Sequence, residues 1–81
     1  MSNQTKLMHC FREAFALPAD ASVDGMTYQK DPVWDSVAHM RLVAGIETAF
    51  GIMFTTDQIL DMSSFVKARE IVGQHGVTLE A

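Results

Sequence analysis

The sequence predicts an all-α fold built from four helices in one small domain. Apolar residues recur at helical spacing in four segments, and no segment alternates in the way that a half-buried strand does. Proline and glycine residues stand at the ends of these segments, where they typically stop a helix. A chain of 81 residues is the size of one domain, so we expect a core over about residues 3–73 and a loose tail over 74–81.

The first helix is predicted from Asn3 to about Leu17, with one apolar stripe and with Pro18 as its stop. A long connection, residues 19–34, follows it. Loops of this length are uncommon in compact domains and are often functional. The residues expected to attach this loop to the core are Val23, Met26, Tyr28 and Trp34.

The second helix is predicted from Ser36 to Phe50, with Asp35 able to cap its first turn and Gly51 ending it in the left-handed conformation. Its core stripe consists of Leu42, Val43, Ile46, Ala49 and Phe50. A second, smaller apolar group begins beside Ser36 and consists of Val37, Met40 and Ala44. Because a surface helix needs only one buried stripe, the second group predicts a docking surface for a partner. Its polar members are Arg41, Glu47 and Thr48.

Two further helices are predicted after Gly51. Thr55 and Gln58 have the spacing of a capping box at the start of a short third helix. The apolar contacts of that helix are expected from Ile59, Leu60 and Met62. The fourth helix is predicted to follow Ser64 and to end at Gly73 or Gly76. Its inner face is expected to contain Phe65, Ala68, Ile71 and Val72.

Composition disfavours several classes of protein. The net charge of −4 lacks the concentrated basic face of a nucleic-acid binder. No apolar run is long enough to span a membrane, and the first residues do not resemble a signal peptide. Cys10 is the only cysteine, so it is expected to pack as a small hydrophobe, with neither a disulfide nor a thiolate metal site. Together these features predict a cytoplasmic protein that binds no metal.

Ser36 and His39 are the nearest approach to a catalytic pair in this sequence. A Ser–His hydrolase needs a bond between the two side chains, a third group that orients the histidine, and an oxyanion hole. A serine at a helix start and a histidine one turn later rarely meet that geometry. We therefore expect no catalytic residue and no enzyme activity, and we expect His39 to be half-buried. Asp57 and Asp61 provide too few oxygens for a Ca²⁺ site.

From Trp34 onward the chain resembles the acyl carrier proteins. The family signature Asp-Ser-Leu corresponds to Asp35-Ser36-Val37, and the apolar helix after it ends in Phe50-Gly51 as in the family. The likeness continues through Phe54-Thr55-Thr56-Asp57 and covers about residues 34–72, whereas the first helix matches only in its pattern. The resemblance implies a four-helix bundle of the acyl-carrier-protein type, with a long loop between the first two helices and a short third helix.

The resemblance also implies a function. A phosphopantetheinyl transferase would move 4′-phosphopantetheine from coenzyme A onto Ser36, with Asp35 offering a carboxylate at the site. The thiol of this arm would carry acyl groups as thioesters between an acyl-loading ligase or acyltransferase and acyl-processing enzymes, on a monomeric carrier. Carriers of general fatty-acid synthesis are acidic along the second helix, whereas this chain has His39 and Arg41 there. This difference indicates a specialised polyketide, hybrid or lipid pathway.

Two alternatives stay open at this point. A peptidyl or aminoacyl carrier would use the same serine, although such carriers usually have a glycine-rich lead into it, which Asp31-Pro32-Val33-Trp34 lacks. A helical adaptor that is never modified would use the apolar group beside Ser36, and its serine would be only a helix cap.

Overall fold

The computed structural model of this chain describes residues 2–79, and these residues confirm the all-α class. The four helices are α1 (Asn3–Ala14), α2 (Ser36–Phe50), α3 (Thr56–Asp61) and α4 (Phe65–Gln74). The only β-type pairing in the described part of the chain is an isolated antiparallel bridge between Thr27 and Ser64. Within residues 2–79, no helix combines the length and the apolar character needed to cross a bilayer.

α1 and α2 lie antiparallel against each other. Near the start of α1, Lys6 Nζ donates a hydrogen bond of 3.2 Å to the carbonyl oxygen of Ala49, at the end of α2. Halfway along both helices, Cys10 Sγ lies 3.8 Å from the carbonyl oxygen of Gly45. Cys10 is buried at this contact, which confirms its prediction as a small packing residue.

α2 begins and ends where the sequence predicted. Gly51 follows its last residue in the left-handed conformation, with φ of 66°. The backbone N–H of Ile52 donates 3.1 Å to the carbonyl oxygen of Glu47, which is the closing bond of a Schellman motif. Ile52 packs against the core, as the motif requires of the residue after the glycine.

α1 ends earlier than predicted, at Ala14 instead of Leu17. The reason is a second Schellman motif, in which Ala16 takes the left-handed position with φ of 54°. The backbone N–H of Leu17 donates 2.8 Å to the carbonyl oxygen of Arg12 and closes the motif. Because the motif packs Leu17 and Phe15 onto the core, the apolar pattern continues beyond the helix itself.

An aromatic cluster at the centre of the core joins α1, α4 and the long loop. The ring of Phe11 meets those of Trp34 and Phe65 edge to face, with centroids 5.4 and 5.0 Å apart. Trp34 is fully buried, and Val23 and Met26 are buried with it. These three loop residues therefore attach the loop to the core, as predicted.

The long loop is also bonded to the segment between α3 and α4. The N–H of Tyr28 donates 2.9 Å to the carbonyl oxygen of Ser63, and the N–H of Phe65 donates 3.1 Å to that of Met26. These two bonds flank the Thr27–Ser64 bridge. The backbone around Tyr28 is therefore hydrogen-bonded to the segment that leads into α4.

The capping box predicted for α3 is confirmed. The hydroxyl of Thr55 accepts 3.1 Å from the N–H of Gln58, whose side-chain oxygen accepts 3.0 Å from the N–H of Thr55. The prediction that Leu60 packs inward is wrong, because its side chain is 77% exposed. Met62 is buried and Ile59 half-buried, so these two residues supply the apolar contacts of α3.

The described part of the expected loose tail is attached to the rest of the fold. α4 continues to Gln74, and Gly76 takes a left-handed conformation after it. The side-chain amide of Asn3 donates 2.9 Å to the carbonyl oxygen of Thr78, and Leu79 packs against the core. These contacts concern residues 78 and 79 of the predicted tail, whereas residues 80 and 81 lie outside the described part of the chain.

Candidate functional site

Asp35 is the N-cap of α2 and sets the position of Ser36. Its carboxylate oxygen Oδ1 accepts a hydrogen bond of 2.9 Å from the N–H of Ala38, while its own backbone is extended. Ser36 is then the first residue of the helix, and its side chain is exposed. The capping role that the adaptor alternative gave to Ser36 therefore belongs to Asp35, so the serine hydroxyl is not needed to begin the helix.

The hydroxyl of Ser36 has a partner that the sequence did not predict. Its Oγ lies 3.1 Å from Oη of Tyr28, which the sequence suggested only as a loop anchor. The edge of the Tyr28 ring meets His39 with centroids 4.9 Å apart. No motif links Tyr28 with Ser36, because only the fold of the loop between them brings the two hydroxyls together.

His39 is buried, with 8% exposure, and not half-buried as expected. The indole N–H of Trp34 donates 2.9 Å to its Nδ1, and its Nε2 lies 2.8 Å from the carbonyl oxygen of Ile59. The imidazole therefore ties the loop, α2 and α3 together. Both ring nitrogens face groups other than Ser36, and the arrangement is not that of a Ser–His pair.

An open apolar depression lies beside Ser36, and we call it the Ser36 patch. It is lined by Ser36, Val37, Met40, Arg41 and Ala44. Val37 is 62% exposed and Met40 is 55% exposed, so two large apolar side chains lie at the surface of one helix face. The structure thus brings four of the six predicted docking residues together with the serine.

The other two predicted docking residues lie elsewhere. Glu47 is half-buried, and its Oε2 accepts 2.9 Å from the N–H of Phe54, so this carboxylate holds the turn after α2. Thr48 is exposed in a groove between α1 and α2, about 470 Å³ in volume, which Arg41 also lines. His9 of α1 lines the same groove and pairs with Glu13 at 2.7 Å.

A smaller cavity of about 130 Å³ lies against Tyr28. Its other lining residues are His39, Leu60, Met62 and Ser63. Tyr28 therefore borders this cavity and also meets Ser36 with its hydroxyl.

No group of three or more histidine, cysteine or carboxylate side chains within residues 2–79 is arranged to hold a metal ion. Asp61, on α3, lies 3.4 Å from Nζ of Lys67 as an exposed ion pair. Asp57 lies in the first turn of α3, where a carboxylate favours the helix dipole. Both aspartates thus have structural roles at the surface.

Comparison of the chain with protein-family models, with curated proteins and with solved structures gave no match.

Proposed function

We propose that this chain is an acyl carrier protein that bears 4′-phosphopantetheine on Ser36. The observation that supports this most is the exposed Ser36 hydroxyl in the first turn of α2, with Asp35 acting as the cap in its place. The residues fit a covalent group at this position, because Ser36 is exposed and leaves room for a phosphate on its oxygen. The order Asp35-Ser36, at the start of an amphipathic helix, resembles the arrangement in which acyl carrier proteins present their serine, with Val37 where the family has leucine.

Ser36 is the nucleophile of the proposed modification. Its Oγ forms a bond to the phosphorus next to the pantetheine of coenzyme A, and the phosphorus–oxygen bond to the nucleotide breaks. The nucleotide leaves with that electron pair, and the hydroxyl proton of Ser36 passes to a base on the transferase. When attached, the arm supplies a terminal thiol on which an acyl group is held as a thioester. Asp35 keeps the serine at the surface by fixing the start of the helix.

The Ser36 patch is the proposed docking surface for the transferase and for the acyl-loading and acyl-processing enzymes. Val37, Met40 and Ala44 provide its apolar area, and Arg41 provides a positive charge at its edge. Such a patch fits partners that present apolar side chains together with a carboxylate. Because Arg41 replaces the acidic character typical of general fatty-acid carriers, we assign the chain to a specialised polyketide, hybrid or lipid pathway in the cytoplasm.

Intact mass tests the proposal directly. The protein is incubated with coenzyme A, Mg²⁺ and a broad-specificity phosphopantetheinyl transferase, beside Ser36→Ala and Ser22→Ala. Ser22 is another exposed serine, in the long loop, so its variant is the matched control. We expect wild type and Ser22→Ala to gain one phosphopantetheine and Ser36→Ala to gain none.

Two results would overturn the proposal. One is an unchanged mass of the folded wild-type protein under conditions in which the transferase fully modifies a known carrier. The other is a mass gain that persists in Ser36→Ala. The first result would favour the unmodified adaptor, for which the Ser36 patch would remain the binding surface.

A further inference from the structure

We propose that Tyr28 is the positioning residue for the group on Ser36. Its hydroxyl holds the serine before modification and donates a hydrogen bond to the phosphodiester afterwards. The arm then leaves the protein in a restricted direction. This inference rests on the proposed function, because it concerns the same serine.

The place of Tyr28 is determined by contacts on both its backbone and its ring. Its N–H donates 2.9 Å to the carbonyl oxygen of Ser63, next to the Thr27–Ser64 bridge. Its ring meets His39 at 4.9 Å and Trp34 at 6.2 Å between centroids, edge to face in both cases. A half-buried ring held in this way directs its hydroxyl towards Ser36 without further ordering of the side chain.

The chemistry of the modified serine decides which way the hydrogen bond runs. In the unmodified protein either hydroxyl of the 3.1 Å Tyr28–Ser36 pair can be the donor. After modification the oxygen of Ser36 is an ester oxygen with no proton, so only Tyr28 can donate. The oxygens of the phosphodiester share a negative charge and accept more strongly than a hydroxyl does. Tyr28 therefore gains a better acceptor on modification.

This contact restricts the arm where it is attached. A phosphodiester on an exposed serine would otherwise turn freely about the side-chain bonds. With one of its oxygens held by Tyr28, the phosphate stays on the side of Ser36 that faces the Tyr28 hydroxyl. The docking surface formed by Val37 and Met40 is then left open to partners.

Phosphorus NMR of the modified protein tests the inference. Wild type, Tyr28→Phe and Thr27→Val are each loaded with phosphopantetheine and confirmed by mass. Tyr28→Phe keeps the ring contacts and removes only the hydroxyl, whereas Thr27→Val removes a neighbouring hydroxyl that bonds Gly25 at 3.5 Å. We expect the ³¹P resonance of Tyr28→Phe to move and to become narrower, as a more mobile phosphate requires, and that of Thr27→Val to match wild type.

The outcomes separate this inference from the proposed function. If wild type is never modified, both fail. If all three proteins are modified and their ³¹P resonances agree in position and width, only the role of Tyr28 is overturned. A second measurement uses the wild-type modified protein alone, so it does not depend on folding of the variant. A nuclear Overhauser contact between the ring protons of Tyr28 and the arm's methylene next to the phosphate is expected, and its absence overturns the inference.

Discussion

The indole N–H of Trp34 donates a hydrogen bond of 2.9 Å to Nδ1 of His39, deep between the long loop and α2. A neutral imidazole has one donor and one acceptor nitrogen, so this bond assigns the proton to Nε2. Nε2 then donates 2.8 Å to the carbonyl oxygen of Ile59. The two ring planes are also nearly parallel, with an angle of 24° between them. His39 thus connects Trp34, the residue before Asp35 and Ser36, to Ile59 of α3.

Substitution of either Trp34 or His39 should destabilise the protein. Trp34→Phe keeps an aromatic ring but leaves buried Nδ1 of His39 without its donor, a loss of about 1–3 kcal/mol in the free energy of unfolding. His39→Phe should leave the indole N–H unpaired in the same way. We expect the double variant to lose less than the two single losses added together, with a coupling of about 0.5–3 kcal/mol in urea unfolding. Strictly additive losses would show that the two side chains act independently.

The two Schellman motifs predict opposite effects for reciprocal substitutions. Ala16 has a left-handed backbone that glycine adopts more easily, so Ala16→Gly should stabilise the protein by up to about 1 kcal/mol. Gly51→Ala should destabilise it by about 1–2 kcal/mol. An added Cβ at Gly51 would meet no atom within 4 Å, so this loss is conformational and not steric. Thermal unfolding measures both changes, and two effects of the same sign would contradict the argument.

Two substitutions of Asp35 should distinguish its role as helix cap from a role of its negative charge in recognition by the transferase. Asp35→Ala removes the acceptor for the N–H of Ala38 and should reduce the free energy of unfolding by about 1 kcal/mol. Asp35→Asn keeps an acceptor oxygen at the cap and should be nearly as stable as wild type. If the transferase reads the carboxylate, both variants should be modified more slowly in a timed mass assay. Modification of Asp35→Asn at the wild-type rate would limit Asp35 to its capping role.

Charge reversal at Arg41 should alter the choice of partner and not the modification itself. Arg41 is exposed at the edge of the Ser36 patch, so Arg41→Glu would repel the carboxylate of the proposed partner there. We expect slower acyl loading by the partner enzyme and nearly unchanged attachment of the arm to Ser36. Lys67→Glu, on α4, makes the same change in net charge and is the control. Unchanged turnover with every partner would remove Arg41 from the docking surface.

Cys10 should be slow to react in the folded protein. Burial raises the pKa of its thiol, the nearby carboxylate of Glu13 raises it further, and Lys6 opposes the rise. Because the folded-state pKa lies above the unfolded one, this contribution to stability is complete below the ordinary pKa of a thiol. It is lost as the pH rises through the folded-state value. With a disulfide reagent near neutral pH, we expect slow labelling of the unmodified protein and rapid labelling after urea is added. Equally fast labelling before and after urea would contradict the burial argument.

Signals within a few residues predicted helix boundaries well in this chain. Asp35 and Gly51 define the ends of α2 through bonds to neighbouring residues, and the Thr55–Gln58 capping box starts α3 in the same way. Such contacts depend on the local sequence and hardly at all on the remainder of the fold. The end of α1 was missed because alanine rarely takes the left-handed position that Ala16 occupies.

Contacts between residues distant in sequence could not be predicted from the helical spacing of apolar residues. Helical spacing predicted that Val37, Met40, Arg41 and Ala44 lie beside Ser36, and the structure groups them there. The Tyr28 hydroxyl at Ser36 could not be found, because it depends on how the long loop pairs with the segment before α4. The same holds for Glu47, whose position suggested an exposed carboxylate but whose side chain bonds the N–H of Phe54.

The pairing of Thr27 with Ser64 makes the surroundings of the serine depend on two segments that lie far apart in the sequence. Closure of a loop this long delays ordering of the segment that carries Tyr28 until α4 has reached its place. A six-residue helix such as α3 does not form alone in water, so it too must wait for these tertiary contacts. In a nascent or partly unfolded chain, Ser36 therefore lacks the surrounding contacts that the folded protein provides, including the one with Tyr28. An enzyme that recognises these folded surroundings would modify fully folded molecules and would not modify partly folded ones.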